Sequence, residues 1–318
     1  MSQTTIIRVD DAPSGAAVAG AYIESAKPGI TRLVTITAGV GFLLVALTRE
    51  GWPLAQIVAT GLGTIIGTAL ASAGANALNM WYEAESDAKM HRTRGRPIPS
   101  GRLSRAQTRK AGIWLSVAGV FITMLLAGTA AALICLLCVV SYVLLYTPMK
   151  TRTIWNTLLG TIPGALPPMI GAAAASEGMG PQRLDSPVGW ALVALMVVWQ
   201  IPHFLAIAWM HRDDYARGGQ RMLPVIDPTG RVTSIVIVLT ALLLLPATLA
   251  PAFATPALGL ATLVTAGATG LAYIALCVRL ALTRADRDAK IVFIASITHL
   301  PLLLLVMVAD AGASALLA

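Results

Sequence analysis

Between Ala111 and Thr147 the chain runs for 37 residues without a charged side chain. As one helix that stretch would extend about 55 Å, nearly twice the hydrocarbon thickness of a bilayer. It belongs to a membrane-embedded chain and has to turn back on itself, and Gly128 is the residue suited to the turn. Composition agrees, since 56% of the 318 residues are hydrophobic and 12% are charged, against roughly 45–50% and about 25% in soluble domains. A single soluble core and a disordered chain are both excluded.

Apolar runs bounded by charge, Pro or Gly predict nine spans: Ile30–Thr48, Pro53–Asn79, Ala111–Ala127, Ala130–Thr147, Ile154–Ala175, Gly189–Met210, Val232–Leu249, Pro256–Leu280 and Ile291–Ala309. The expected fold is an all-α integral membrane protein with nine transmembrane helices. Residues 1–29 form a cytoplasmic N-terminal segment and 30–318 the nine-helix transmembrane domain. Of the 23 Lys and Arg residues, all but Arg49 and Arg183 fall at the N-terminal end or around the loops after spans two, four, six and eight. Positive loops face the cytoplasm, so the N-terminus and these loops are expected inside a bacterial plasma (inner) membrane and the C-terminus outside. Cys135, Cys138 and Cys277 lie within apolar runs and read as small buried hydrophobes.

The chemistry-bearing residues gather on the positive side. After span two come Asn79, Glu83 and Asp87, at i, i+4 and i+8. On a continuing helix they share one face at the inner membrane surface. Oxygen donors stacked this way suit a hard cation, and Mg²⁺ completes its shell with water and substrate phosphate. Lys89, Arg92, Arg94 and Arg96 follow at once and suit the remaining phosphate charge. A second acidic cluster, Asp213 and Asp214, follows span six, and Lys150 and Arg152 follow span four on the same side. Both clusters on one face point to a shared metal and diphosphate site, although basic residues flanking spans also act as orientation signals and lipid contacts.

Inside the membrane, Asn156, Gln200, His203 and His299 are the notable polar residues, each a functional candidate by location. Pro163, Pro167, Pro168, Pro202 and Pro301 are expected to kink their helices and leave a cavity.

Taken together, these residues resemble the UbiA-type intramembrane prenyltransferases. Asn79, Glu83 and Asp87 match the Asn-x-x-x-Asp-x-x-x-Asp motif of that family, followed by Arg92-Thr-x-x-Arg96-Pro97-x-Pro99-Ser100-Gly101 and Tyr146-x-Pro148-Met-Lys150. Glu83 departs from the family's Asp, keeping the charge and adding a methylene. Three further stretches look like the haem-farnesylating branch: Tyr146 to Asn156, Trp199-Gln-Ile-Pro202-His203-Phe204, and Asp213-Asp214-Tyr215-x-x-Gly218-Gly219-x-x-Met222-Leu223-Pro224.

The resemblance implies a UbiA-type bundle that transfers farnesyl from farnesyl diphosphate to a vinyl group of haem b, with water addition, giving haem o for haem-copper oxidases. It implies Asn79, Glu83, Asp87, Asp213 and Asp214 as metal-binding and catalytic residues with Lys150, and Arg92, Arg96, Tyr146, Arg152 and His203 as substrate-binding residues. Which of Asp213 and Asp214 binds the metal stays open. Mg²⁺ is the expected cofactor, haem b is substrate, and His299 is the rival to His203 for haem contact. Expected partners are the lipid bilayer and the haem A synthase or oxidase assembly machinery, with no nucleic acid. Three other readings remain at this point: another aromatic or quinone-precursor prenyltransferase, a secondary transporter of an anionic solute, and a non-catalytic scaffold for oxidase assembly, which would not need paired acidic clusters.

Overall fold

The computed structural model describes residues 15–177 and 184–317, so residues 1–14 and Arg183, both used in the charge argument, lie outside the described residues. All regular structure among the described residues is helical, in the order α1 Gly15–Ser25, α2 Pro28–Ala46, α3 Leu54–Lys89, α4 Arg105–Ala127, α5 Thr129–Val140, a π-helical segment Ser141–Tyr146, α6 Thr147–Met149, α7 Asn156–Ala165, α8 Pro167–Ala175, α9 Pro187–Met210, α10 Arg212–Arg217, α11 Leu223–Ile226, α12 Arg231–Ala254, α13 Leu260–Thr283 and α14 Asp286–Leu317. Nine helical stretches among them are long and apolar enough to cross a membrane. The protein is therefore an integral membrane helix bundle. Large apolar side chains such as Leu239, Leu243, Leu282 and Leu305 stay exposed around it, as expected where the surroundings are lipid.

The 37-residue apolar stretch does turn at Gly128, which adopts φ 96° between α4 and α5. That left-handed region favours glycine, and the Glu177 side chain occupies the space a Cβ would need. The second span runs past the apolar limit at Asn79 to Lys89, 36 residues in all. Its backbone bonds are internal to the helix, so leaving the hydrocarbon need not end it. At about 54 Å it outreaches a bilayer core, and its projecting end carries the first acidic cluster. Its partner α4 starts at a capping box in which Ser104 and Gln107 bond each other's backbone N–H. The two helices then approach closely: a Cβ on Gly119 would overlap the Ala71 backbone. Small residues at such a crossing let membrane helices gain dispersion contact without a hydrophobic driving force.

Of the prolines expected to distort their helices, Pro167 and Pro168 break one span into α7 and α8, whereas α9 continues through Pro202 and α14 through Pro301. At the C-terminal end of the fourth span the π-helical segment sets Tyr142 and Tyr146 side by side, with ring centroids 5.7 Å apart.

Candidate active site

A cavity of about 380 Å³ opens between α2, α3, α5, α7 and α9. One end is ionic and its wall is apolar and aromatic. Glu83 and Asp87 reach it from the end of α3, Arg92 and Arg96 from the following loop, and Lys150 and Tyr146 from the end of the fourth span. The i+4 spacing of α3 thus delivers two carboxylates to one place. Spacing suggested groups at the membrane surface, but the structure buries them: Asp87 has no exposed side-chain area and Glu83 only 7%.

Each buried carboxylate is paired with a cation. Arg96 Nη1 donates to both oxygens of Asp87, at 2.8 and 2.7 Å. Lys150 Nζ sits 2.7 Å from Glu83 Oε1 and lies over the Tyr146 ring, 4.7 Å from its centroid. Burial opposes charge on Lys150, but Glu83 and the two tyrosines outweigh it and hold its pKa above the usual lysine range.

Asn79 is fully buried at the edge of this group. Its Nδ2 donates to Thr147 Oγ1 at 2.9 Å, and its Oδ1 accepts from Lys27 Nζ. Lys27 was not anticipated from sequence. It sits at the corner between α1 and α2 in a left-handed conformation, φ 47°, which turns its side chain back toward α3 across 52 residues of sequence. Burial, with Arg96 and Lys150 nearby, pushes its ammonium down to about 7 against the pull of Glu83 and Asp87. A Lys directly before a Pro-initiated span, on the positive side, was the available signal.

Asp214 and Asp213 part company. Asp214 accepts from the backbone N–H groups of His91 and Arg92, at 2.9 and 3.0 Å, and from Arg217 at 2.6 Å. Arg217 and these N–H groups hold its carboxyl well below the usual range despite burial. Ser86 Oγ adds a bond to Gly218 O at 2.7 Å. The two acidic clusters are therefore physically joined, with Asp214 clasping the loop that carries Arg92 and Arg96. Asp213 is exposed, and neither Asp213, Asp214 nor Arg152 lines the cavity. Among the described residues no three His, Cys, Asp or Glu side chains converge as a ready metal cage.

Deeper along α9, His203 lines the cavity with Trp199, Gln200, Phe204 and Ile207. Its ring stacks on Trp199 at 4.7 Å and on Phe293 at 5.4 Å. His299 is elsewhere, buried against Tyr273 at 6.0 Å and absent from the cavity wall. The three cysteines are free, with Cys135 and Cys277 buried. An ionic mouth on an apolar chamber accommodates a substrate with an anionic head and a hydrocarbon tail.

A profile of the UbiA prenyltransferase family matches residues 33–297, and the chain belongs to that family. Among similar proteins is the protoheme IX farnesyltransferase of Solibacter usitatus, 44% identical over 91% of this chain and 98% of the relative. The protein of that name from Salinibacter ruber is 38% identical over the same shares. Among solved structures, that of a digeranylgeranylglyceryl phosphate synthase superposes with a TM-score of 0.73 at 15% identity, covering 92% of this chain and 98% of that one. A UbiA homologue from Archaeoglobus fulgidus, bound to DMAPP and Mg²⁺, gives 0.58 at 12% identity, covering 92% and 98%. At such identities the structural likeness speaks for the fold.

Proposed function

We propose that this chain transfers the farnesyl group of farnesyl diphosphate to a vinyl group of haem b, with addition of water, yielding haem o and diphosphate. The observation that carries this reading is a single cavity with Lys27, Arg92, Arg96 and Lys150 at its ionic end and His203 in its aromatic wall. The protoheme IX farnesyltransferase relatives supply the acceptor. Family membership removes the transporter reading.

Breaking the allylic C–O bond sends an electron pair onto diphosphate. Lys27, Arg92, Arg96 and Lys150 line the ionic end of the cavity and neutralise that charge once diphosphate draws Arg96 and Lys150 away from Asp87 and Glu83, and in a water-poor site such electrostatic stabilisation counts most. The vinyl π electrons then form the new C–C bond. The cation left beside the macrocycle takes up water and releases a proton. Apolar residues such as Leu33, Val34, Met196 and Phe204 keep water from the first cation.

A divalent ion, read as Mg²⁺, fits the donor set. Glu83 and Asp87 are hard oxygen donors that both line the cavity, and their present partners are the flexible ends of Lys150 and Arg96, which line it too. Asn79 stands on the same helix face, and Asp213 and Asp214 are the second acidic pair, of which Asp214 orders the arginine loop. When bound, the ion supplies Lewis-acid neutralisation of the diphosphate.

In the same reading His203 contacts haem, since His299 is outside the cavity. The membrane is the bacterial plasma membrane with the ionic mouth cytoplasmic. The product passes to haem A synthase or the oxidase assembly machinery. The test is an assay of purified protein offered haem b and a phenolic acid in parallel with labelled farnesyl diphosphate. Label on haem alone is expected. Label on the phenol alone would replace the acceptor.

A further inference from the structure

His203 is anchored from the far side by one turn of α14. Its Nδ1 lies 2.7 Å from Ser296 Oγ. A hydroxyl has a single hydrogen, and that of Ser296 is already given to Phe293 O, 2.6 Å away in the preceding turn. If the hydroxyl pointed at the ring instead, two oxygen lone pairs would face each other at that distance. Ser296 Oγ is therefore the acceptor, and the proton of a neutral His203 ring is on Nδ1. Nε2 keeps its lone pair and has no protein partner among the described residues, on a side chain that lines the cavity. The same residue grips α9 a second time, because Trp199 Nε1 donates to Ser296 O at 3.0 Å. Trp199 and His203 are one helical turn apart, so both rings are registered against one residue of α14. Stacking on Trp199 and Phe293 then fixes the ring plane.

We propose that Ser296 is a positioning residue for the acceptor: it locks His203 as the Nδ1–H tautomer, so that Nε2 is presented to the haem as a lone-pair donor. This rests on the reading of His203 as the haem contact. The physical logic is that of any metal-directed imidazole, whose second nitrogen must be held by a hydrogen bond if the first is to have a fixed tautomer and direction. Serine suits the task because its buried hydroxyl, saturated by the helix carbonyl, can only accept. An aspartate there would add an anion in hydrocarbon, and an alanine would leave the Nδ1–H unpaired.

The experiment has two arms on full-length protein in lipid. In the first, solid-state NMR of ¹⁵N-histidine-labelled, haem-free protein reads the tautomer directly, with the His203 signal identified by its loss in His203→Ala. Wild type should show Nδ1 protonated and Nε2 bare, and Ser296→Ala should show mixed tautomers. In the second, haem b is titrated by its absorption spectrum and farnesyl diphosphate by calorimetry. Ser296→Ala should weaken haem binding by roughly 10- to 100-fold and alter its spectrum while farnesyl diphosphate binding is kept. A wild-type ring protonated on Nε2 would overturn the proposal, as would Ser296→Ala with unchanged tautomer and haem affinity. If His203→Ala binds haem as wild type does, the haem-contact reading fails by itself, while the NMR arm still judges the tautomer.

Discussion

Asp87 and Arg96 show what the sequence could and could not disclose about single residues. That Asn79, Glu83 and Asp87 share a helix face follows from spacing alone, and α3 does carry them that way. That Asp87 is buried with both its oxygens on Arg96 Nη1 does not follow, since it depends on how the loop after α3 folds back. Asp213 and Asp214 give the same lesson: neighbours on a helix point about 100° apart, so one turns inward and one outward, and spacing alone leaves open which. The contacts of Lys27 with Asn79 and of Ser296 with His203 were not legible because the partners lie 52 and 93 residues away. Two predictions belong at this scale. Arg96→Gln and Lys150→Gln should each weaken farnesyl diphosphate binding by about 10- to 100-fold, the value of a charge-assisted hydrogen bond, and leave haem binding unchanged. Arg152→Gln, outside the cavity, should change neither, and calorimetry with both ligands would show it. Asp87→Asn should abolish turnover and cost roughly 2–3 kcal/mol of stability, less than for a fully buried pair because the Arg96 side chain keeps 21% exposure. Thermal unfolding in detergent with and without Mg²⁺ reads both effects, and a fully active Asp87→Asn protein would remove this carboxylate from the ion site.

Among elements, α3 has the most influence on the site, because every angstrom of its axial position moves Glu83 and Asp87 together. That position is set far from the chemistry, where α3 crosses α4 at small residues. Gly119→Val should therefore push the helices apart, destabilise the bundle by about 1–3 kcal/mol through overpacking, and lower turnover more than haem binding. Normal turnover in that variant would show that the crossing does not set the register. The apolar limit at Asn79 falls short of the C-terminal end of α3 because hydropathy reports where lipid ends, whereas a helix ends where its hydrogen bonds do. The π-helical segment that aligns Tyr142 with Tyr146 was likewise not legible, since a single inserted residue per turn leaves no mark on an apolar run.

For the molecule as a whole, the nine-span layout was legible because the bilayer imposes its thickness on every helix, and that thickness required a turn within the 37-residue run, which the glycine at 128 placed. The alternation of Lys and Arg predicts an orientation that the bundle geometry leaves free. Single cysteines replacing Ser100, after the second span, and Glu50, before it, both exposed, should label from opposite sides of sealed membranes in a Cys-free background, with Ser100 cytoplasmic. Labelling from the same side would overturn the topology. The central claim is that one cavity joins a farnesyl chain to haem b, and mass spectrometry of the haems tests it most directly. Purified protein given haem b, farnesyl diphosphate and Mg²⁺ should yield haem enlarged by one farnesyl group and one water, with none formed when Glu83 and Asp87 are both neutralised. Unmodified haem b after incubation with a wild-type protein that still binds both substrates would contradict the account.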